Sequence, residues 1–257
     1  MSSQTNVYPA KKVNLSKLIL WLSLLFSFNT YAAEQWQELT DGIEYQDLEG
    51  GILTPWSHIH TFRIDLHKNK MGLVSAKDLA VKNASADQFA QYSDALISIN
   101  GGFFDQNFKP LGLRVNNKQL ENPLKQISWW GVFYVKNNTP YISNMRDFSL
   151  DNTIDFAIQS GPRLIVKGKT PSLKHGIADR SALGITADGK VIILVSTNAA
   201  MTTDELANLL KSSPLYCTDA INLDGGSSSQ LFAHINSFQL NIHGFSNVSD
   251  AIIIKKS

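Results

Sequence analysis

Cysteine is nearly absent from this sequence. Cys217 stands alone in 257 residues, so no intrachain disulfide can form. That excludes a small secreted domain stapled by disulfides and agrees with a bacterial periplasm. No Lys or Arg flanks Cys217 to activate its thiol. Beside Tyr216 and leading into an apolar stretch, it reads as a small buried residue. A basic excess is missing too: 23 Lys and Arg face 22 Asp and Glu, a formal charge of +1. That balance excludes the electrostatic footprint of a nucleic-acid binder. No apolar run reaches the ~20 residues that a membrane-spanning helix needs. The familiar catalytic signatures are lacking as well. There is no G-x-S-x-G, no S-x-x-K, no HExxH, no P-loop and no dinucleotide fingerprint. The six histidines form no compact metal pattern, although His58 and His60 share one face if their segment is extended. No cofactor or metal is therefore expected. A divalent cation at the glycine-rich turns near Asp105 and Asp224 stays open, but their spacing does not demand one.

The N-terminus has the layout of an export signal. Lys11, Lys12 and Lys17 precede the apolar run Leu18 to Phe28, and Thr30 and Ala32 suit cleavage after Ala32. The alternative is an uncleaved anchor, which would be the chain's sole membrane attachment. No Cys stands at the cleavage site, which argues against a lipoprotein. The leader spans 1–32 and holds three of the basic residues and no acid. The remainder, 33–257, then carries 20 basic against 22 acidic residues, a formal charge of −2. Its length fits one large domain. Export to the periplasm is the expected localisation.

Strand signals dominate that domain. Phe62, Ile64 and Leu66 alternate with Arg63, Asp65 and His67, the period of a half-buried strand. Three hairpins are expected: Leu111–Val115 with Gln119–Leu120 about Asn116-Asn117, Val132–Val135 with Tyr141–Ile142, and Ala182–Thr186 with Val191–Val195. Arg163–Val166 and Ala251–Ile254 add a short strand and a closing one. Ser85 with Gln88, and Thr202 with Glu205, are capping boxes. They open two helices, the first leading into Phe89, Tyr92 and Ala95, the second into Leu206, Leu209 and Leu210. The fold class is α+β: a mixed, hairpin-rich β-sheet with a few packed helices in a single domain.

Polar residues concentrate at four strand ends. They are Asn100-Gly101-Gly102-Phe103-Phe104-Asp105, Gln159-Ser160-Gly161-Pro162-Arg163, Asp179-Arg180-Ser181-Ala182-Leu183-Gly184, and Asn222-Leu223-Asp224-Gly225-Gly226-Ser227-Ser228-Ser229. Each Gly-Gly pair lets the backbone turn sharply or approach a ligand closely. Asp94 to Gly102 parallels Asp219 to Gly226, either as an internal duplication or as one geometric solution used twice. Plainer readings exist for each residue. Asp224 before Gly225 can shape a turn, Arg163 and Arg180 can serve as surface ion-pair partners, and Phe103 and Phe104 can fill the core.

Taken in order, these four segments resemble the phosphodiester glycosidase family. The likeness runs from about Ile97 to Ile254 and leaves Ala33 to about Ser57 uncovered. Ser227 stands where the family often has a third glycine. The resemblance implies hydrolysis of the bond between an anomeric carbon and a phosphodiester oxygen, in a phosphosugar or phosphorylated glycan. An ordinary glycosidase needs a carboxylic acid to protonate its leaving group. A phosphate monoester leaves with little help, so one carboxylate and a set of phosphate donors can suffice. The resemblance then implies Asp224 as nucleophile or general base and Asp105 as second carboxylate, donating a proton or orienting water. Arg163 and Arg180 would clamp phosphate. Gly225, Gly226 and Ser227 would offer it backbone N–H groups. Asn100 and Asn222 would bond sugar hydroxyls or an acetamido group, with Gly101, Gly102, Ser160 and Gly161 also at the substrate. The same residues would serve a non-catalytic binder of phosphorylated glycans, since a scaffold does not guarantee activity.

Overall fold

Tight turns decide how this chain folds. In the computed structural model, Asn117-Lys118 and Asn137-Asn138 take positive φ (48°, 65° and 51°, 58°). Two successive residues of that kind match the twist of a two-residue hairpin. The strands they join are β6 (Arg114–Asn116) with β7 (Gln119–Asn122), and β8 (Gly131–Lys136) with β9 (Thr139–Asn144). The first turn sits one residue later than the sequence suggests. Pro140 falls inside β9, an edge strand, where its missing N–H costs no ladder bond. The third hairpin, β12 (Ser181–Thr186) with β13 (Val191–Thr197), turns at Gly189 (φ 79°).

The structure describes residues 36–48, 54–174 and 176–257, and the expected leader at 1–32 lies outside them. Its other strands are β1 (Gln37–Thr40), β2 (Ile43–Asp47), β3 (His58–Ile64), β4 (Asn69–Ser75), β5 (Ile97–Asn100), β10 (Ile154–Ser160) and β11 (Arg163–Ile165). Beyond them come β14 (Cys217–Asn222), β15 (Leu231–Ile235), β16 (Phe238–Ile242) and β17 (Asp250–Lys256). The α+β class holds, in finer form. The strands make three sheets, in the orders β1-β2-β3-β13-β12-β14-β11, β7-β6-β10-β8-β9 and β16-β15-β5-β17-β4. Each pairing among the described strands is antiparallel, not mixed. Short turns favour antiparallel neighbours, because a parallel pair needs a long crossover.

Residue parity assigns the layers. Leu183, Ile185, Ile193 and Val195 of the seven-stranded sheet meet Ile97, Ile99, Ile252 and Ile254 in the central core. Phe133, Phe156 and Ile158 from the β7-β6-β10-β8-β9 sheet join them. The alternate residues Ala182, Ile192 and Leu194 pack outward on α2 (Thr203–Lys211) through Leu206 and Leu210. On the other side, Ala251 and Ile253 pack on Phe89 and Ala90 of α1 (Ala86–Ser93). Both helices begin as expected. Gln88 Oε1 accepts the Ser85 N–H at 3.0 Å, and Thr202 Oγ1 accepts the Glu205 N–H at 3.1 Å. Phe89 of α1 is buried and Tyr92 is exposed. Cys217 is buried, and burial pushes its thiol up to about 12, so it is inert.

Candidate active site

The two Gly-Gly turns meet. β5 ends at Asn100 and β14 at Asn222, in different sheets. Asn100 Nδ2 donates to the Asp224 carbonyl at 2.8 Å and to the Gly101 carbonyl at 3.2 Å. Its Oδ1 accepts from Ser181 Oγ at 2.7 Å and from the Gln230 N–H at 3.3 Å. The Asp224 N–H reaches the Gly101 carbonyl at 3.4 Å. Asn100 is fully buried and its amide is fully used. It braces the two turns against each other and has no group left for a sugar.

The first glycine pair serves an ion pair below it. Arg114 Nε donates to Asp250 Oδ2 at 3.0 Å, with both side chains 1% exposed. A Cβ on Gly101 would overlap Asp250 Oδ1, and one on Gly102 would press on the Arg114 guanidinium. Small residues are needed here for packing, not for substrate approach. The second turn carries Asp224, which is half-buried. Burial raises its carboxyl above the ordinary value, the Ser228 hydroxyl and Gly225 N–H oppose this, and the Asp250 charge adds to it. The expected anion nest is spent internally. The Gly225 N–H bonds Asp224 Oδ1 at 3.0 Å and the Gly226 N–H bonds the Asp179 carbonyl at 2.7 Å. A short 3₁₀ turn over Gly226–Ser228 (Gly226 φ 62°) directs these donors inward and leaves Ser227 exposed.

A cavity of about 390 Å³ opens beside these turns, with Phe103 and Asn222 on its wall and Asp224 outside its lining, within the usual range for small-molecule sites. Phe103, Trp129, Pro162 and Leu173 give it apolar walls, and Arg180, Lys174, Thr203 and Asn222 supply polar groups. Arg180 is 8% exposed. Its Nε donates to the Met201 carbonyl at 2.9 Å and its Nη2 to the Gly176 carbonyl. Among the described residues no carboxylate lies within ion-pair distance of it. Burial lowers its pKa, but a guanidinium keeps its charge. Lys174 Nζ rests 5.8 Å from the centre of the Trp129 ring. Asn222 Nδ2 donates to the Gly161 carbonyl at 3.2 Å, and its buried Oδ1 has no partner among the described residues. Gly161 is small because Trp130 presses on it.

The remaining expected residues stand apart. Arg163 runs its stem across Gly131 and is not on the cavity wall. Ser160 is fully buried, and its hydroxyl is unpartnered among the described residues. Asp105 accepts the N–H groups of Asn107 at 2.8 Å and Lys109 at 3.0 Å. The Lys109 bond holds its carboxyl below the usual range, so it is ionised and unsuited to give a proton. It shapes its own loop. Lys174, Trp129 and the Arg114–Asp250 pair carry no sequence signal of the kind used above. The paired Trp129-Trp130 in a loop was the nearest hint. Metal-type donors cluster in one trio among the described residues, Asp47, His58 and His60, away from the cavity wall.

Fold and cavity together define an α+β protein with a cavity of small-molecule size beside a nearly buried arginine. The family model described as phosphodiester glycosidase matches residues 93–255, and the chain belongs to that family. It is 32% identical over 115 residues to the uncharacterized protein YigE of Escherichia coli (strain K12), a match covering 40% of this chain and 45% of that one. The chain thus spans under half the length of that relative. The fold is similar to the catalytic domain of zebrafish N-acetylglucosamine-1-phosphodiester alpha-N-acetylglucosaminidase, auto-inhibited by its pro-peptide. The TM-score is 0.62 at 17% identity, over 89% of this chain and 86% of that one. A Synechocystis crystal structure gives a TM-score of 0.63 at 17% identity, over 88% of this chain and 64% of that one.

Proposed function

We propose that the chain is an exported hydrolase that cleaves the glycosidic C–O bond of a sugar-1-phosphodiester, acting on a phosphorylated glycan or envelope component. The observation that carries this reading is Arg180: a nearly buried cation on a cavity wall with no counter-ion among the described residues. Such a charge is stabilised when an anion enters. As the bond breaks, a diester with one negative charge becomes a monoester approaching two. Arg180 and Lys174 then interact more strongly with the departing phosphate than with the substrate, which is the condition for catalysis. Phe103 and Trp129 would face the C–H surface of the sugar ring, and Asn222 Oδ1 would accept from a hydroxyl or acetamido N–H.

Asp224 is the proposed base or nucleophile. Its raised pKa brings it nearer to neutral working pH, where a base that is still ionised takes a proton most effectively. In the base reading, water attacks the anomeric carbon, Asp224 takes its proton, and the C–O electron pair leaves with the phosphate. Arg163 and Asp105 are not needed for this scheme. Hydrolysis in heavy-oxygen water tests it: label should enter the released sugar and not the phosphate, and Asp224→Asn should abolish release. Label in the phosphate would mean P–O cleavage instead. Saturable glycan binding without turnover, unchanged in Asp224→Asn, would make the protein a binder.

A further inference from the structure

The register of β2 and β3 sets Asp47 directly opposite His60. His58 is two residues from His60 and shares its face of the strand. Asp47 Oδ2 lies 2.6 Å from His58 Nδ1 and 3.9 Å from His60 Nδ1. The two imidazoles stack with centres 5.3 Å apart and planes 13° from parallel. One donor atom from each of the three residues lies within 4.8 Å of the other two. Around a four-coordinate ion with bonds of about 2.1 Å, donors stand roughly 3.4 Å apart. Small side-chain rotations cover that difference.

A second observation points the same way. His60 is 3% exposed, yet its Nε2 has no hydrogen-bond partner among the described residues. Most buried side-chain nitrogens have a partner, so an orphaned one is open to a ligand. Here the ring is held from the other nitrogen, with Tyr45 Oη 2.9 Å from Nδ1. Tyr45 thereby fixes the orientation of the His60 ring, as the outer partners of ligating histidines do. Asp47 is oriented too, since its Oδ1 accepts the Ile59 N–H at 3.1 Å.

We infer that Asp47, His58 and His60 form a site for a divalent transition-metal ion of the zinc class. Two imidazoles and one carboxylate suit such an ion better than calcium or magnesium, which prefer oxygen ligands throughout. The side chains of His58 and Asp47 are 32% and 25% exposed, so water can complete the coordination. The site is independent of the glycosidase reading and of the cavity at Arg180.

Titration of the chelator-stripped full chain with zinc chloride, against a chromophoric chelator, tests this. One saturable equivalent is expected, and cobalt chloride should give the visible absorption of a low-coordinate site. His58→Ala and Asp47→Asn should each weaken zinc binding more than about 100-fold, beyond the roughly 10–100-fold loss that an outer partner such as Tyr45→Phe should cost. His234→Ala, at an exposed position on β15, should change nothing. Circular dichroism of the metal-free variants checks that each is folded. Unsaturable zinc uptake, or unchanged affinity in folded His58→Ala and Asp47→Asn, would overturn the proposal.

Discussion

Arg114 and Arg180 are both arginines held inside the protein, and they are satisfied in opposite ways. Arg114 is paired with Asp250 and also donates to the carbonyls of Leu113 at 3.1 Å and Gln159 at 3.2 Å. Arg180 has two carbonyls and no carboxylate among the described residues. A buried charge needs a partner. Arg114 finds its partner within the chain and acts as scaffolding under the Asn100 turn. Arg180 sits at a cavity, where an anionic ligand can be the partner. The difference separates an arginine that holds the fold from one available for chemistry.

Four substitutions would break or sharpen that contrast. Arg114→Met leaves Asp250 charged and alone, and should cost about 3–5 kcal/mol in chemical denaturation. Adding Asp250→Leu should recover part of that loss. Arg180→Ala should instead lower kcat by about 10²–10³ on a sugar-1-phosphodiester, with a much smaller change in denaturation midpoint. If Arg180→Ala unfolds the protein and leaves folded molecules fully active, the contrast fails. Gly101→Ala would push a Cβ into Asp250 and should destabilise by about 1–3 kcal/mol, reading the Arg114 pair through a different residue.

The fourth concerns Asp224. Its folded pKa lies above the ordinary 3.8, so its stabilising contribution is fully present below that value and is lost as pH rises through the folded pKa. Asp224→Asn should therefore raise the melting temperature at pH 7 while stopping turnover. The gain should vanish near pH 4. A lower melting temperature at pH 7 would mean that the ionised carboxylate supports the fold, as the one on Asp250 does.

Local signals were legible and long-range ones were not. Both capping boxes, all three hairpins and both Gly-Gly turns could be read because their causes lie within a few residues of each other. The sequence pointed to Arg180 through its place at a strand end beside Ser181 and Gly184. Arg114 is 136 residues from Asp250, and a single arginine in an apolar strand carries no mark of its partner. Asn100 was misread for the same reason. Its four bonds are made mostly to residues beyond position 180, so nothing nearby shows that its amide is already used. Alternation showed which strand faces are buried but not which strand lies alongside. One mixed sheet was therefore expected where three antiparallel ones form.

The brace between the two turns has a consequence for how the protein matures. Asn100 and Asp224 are 124 residues apart: Asn100 ends β5, and Asp224 lies two residues beyond the end of β14, in a different sheet. Contacts of such separation form slowly, because loop closure must precede them. Asp224 therefore gains its backbone support only after both sheets have formed and docked. A nascent chain still lacking its C-terminal third would lack β15 and β17, the strands on either side of β5, and so would have neither the Asn100 turn in place nor a braced carboxylate. Hydrolytic competence should then arrive late in refolding, behind the bulk of the β-structure.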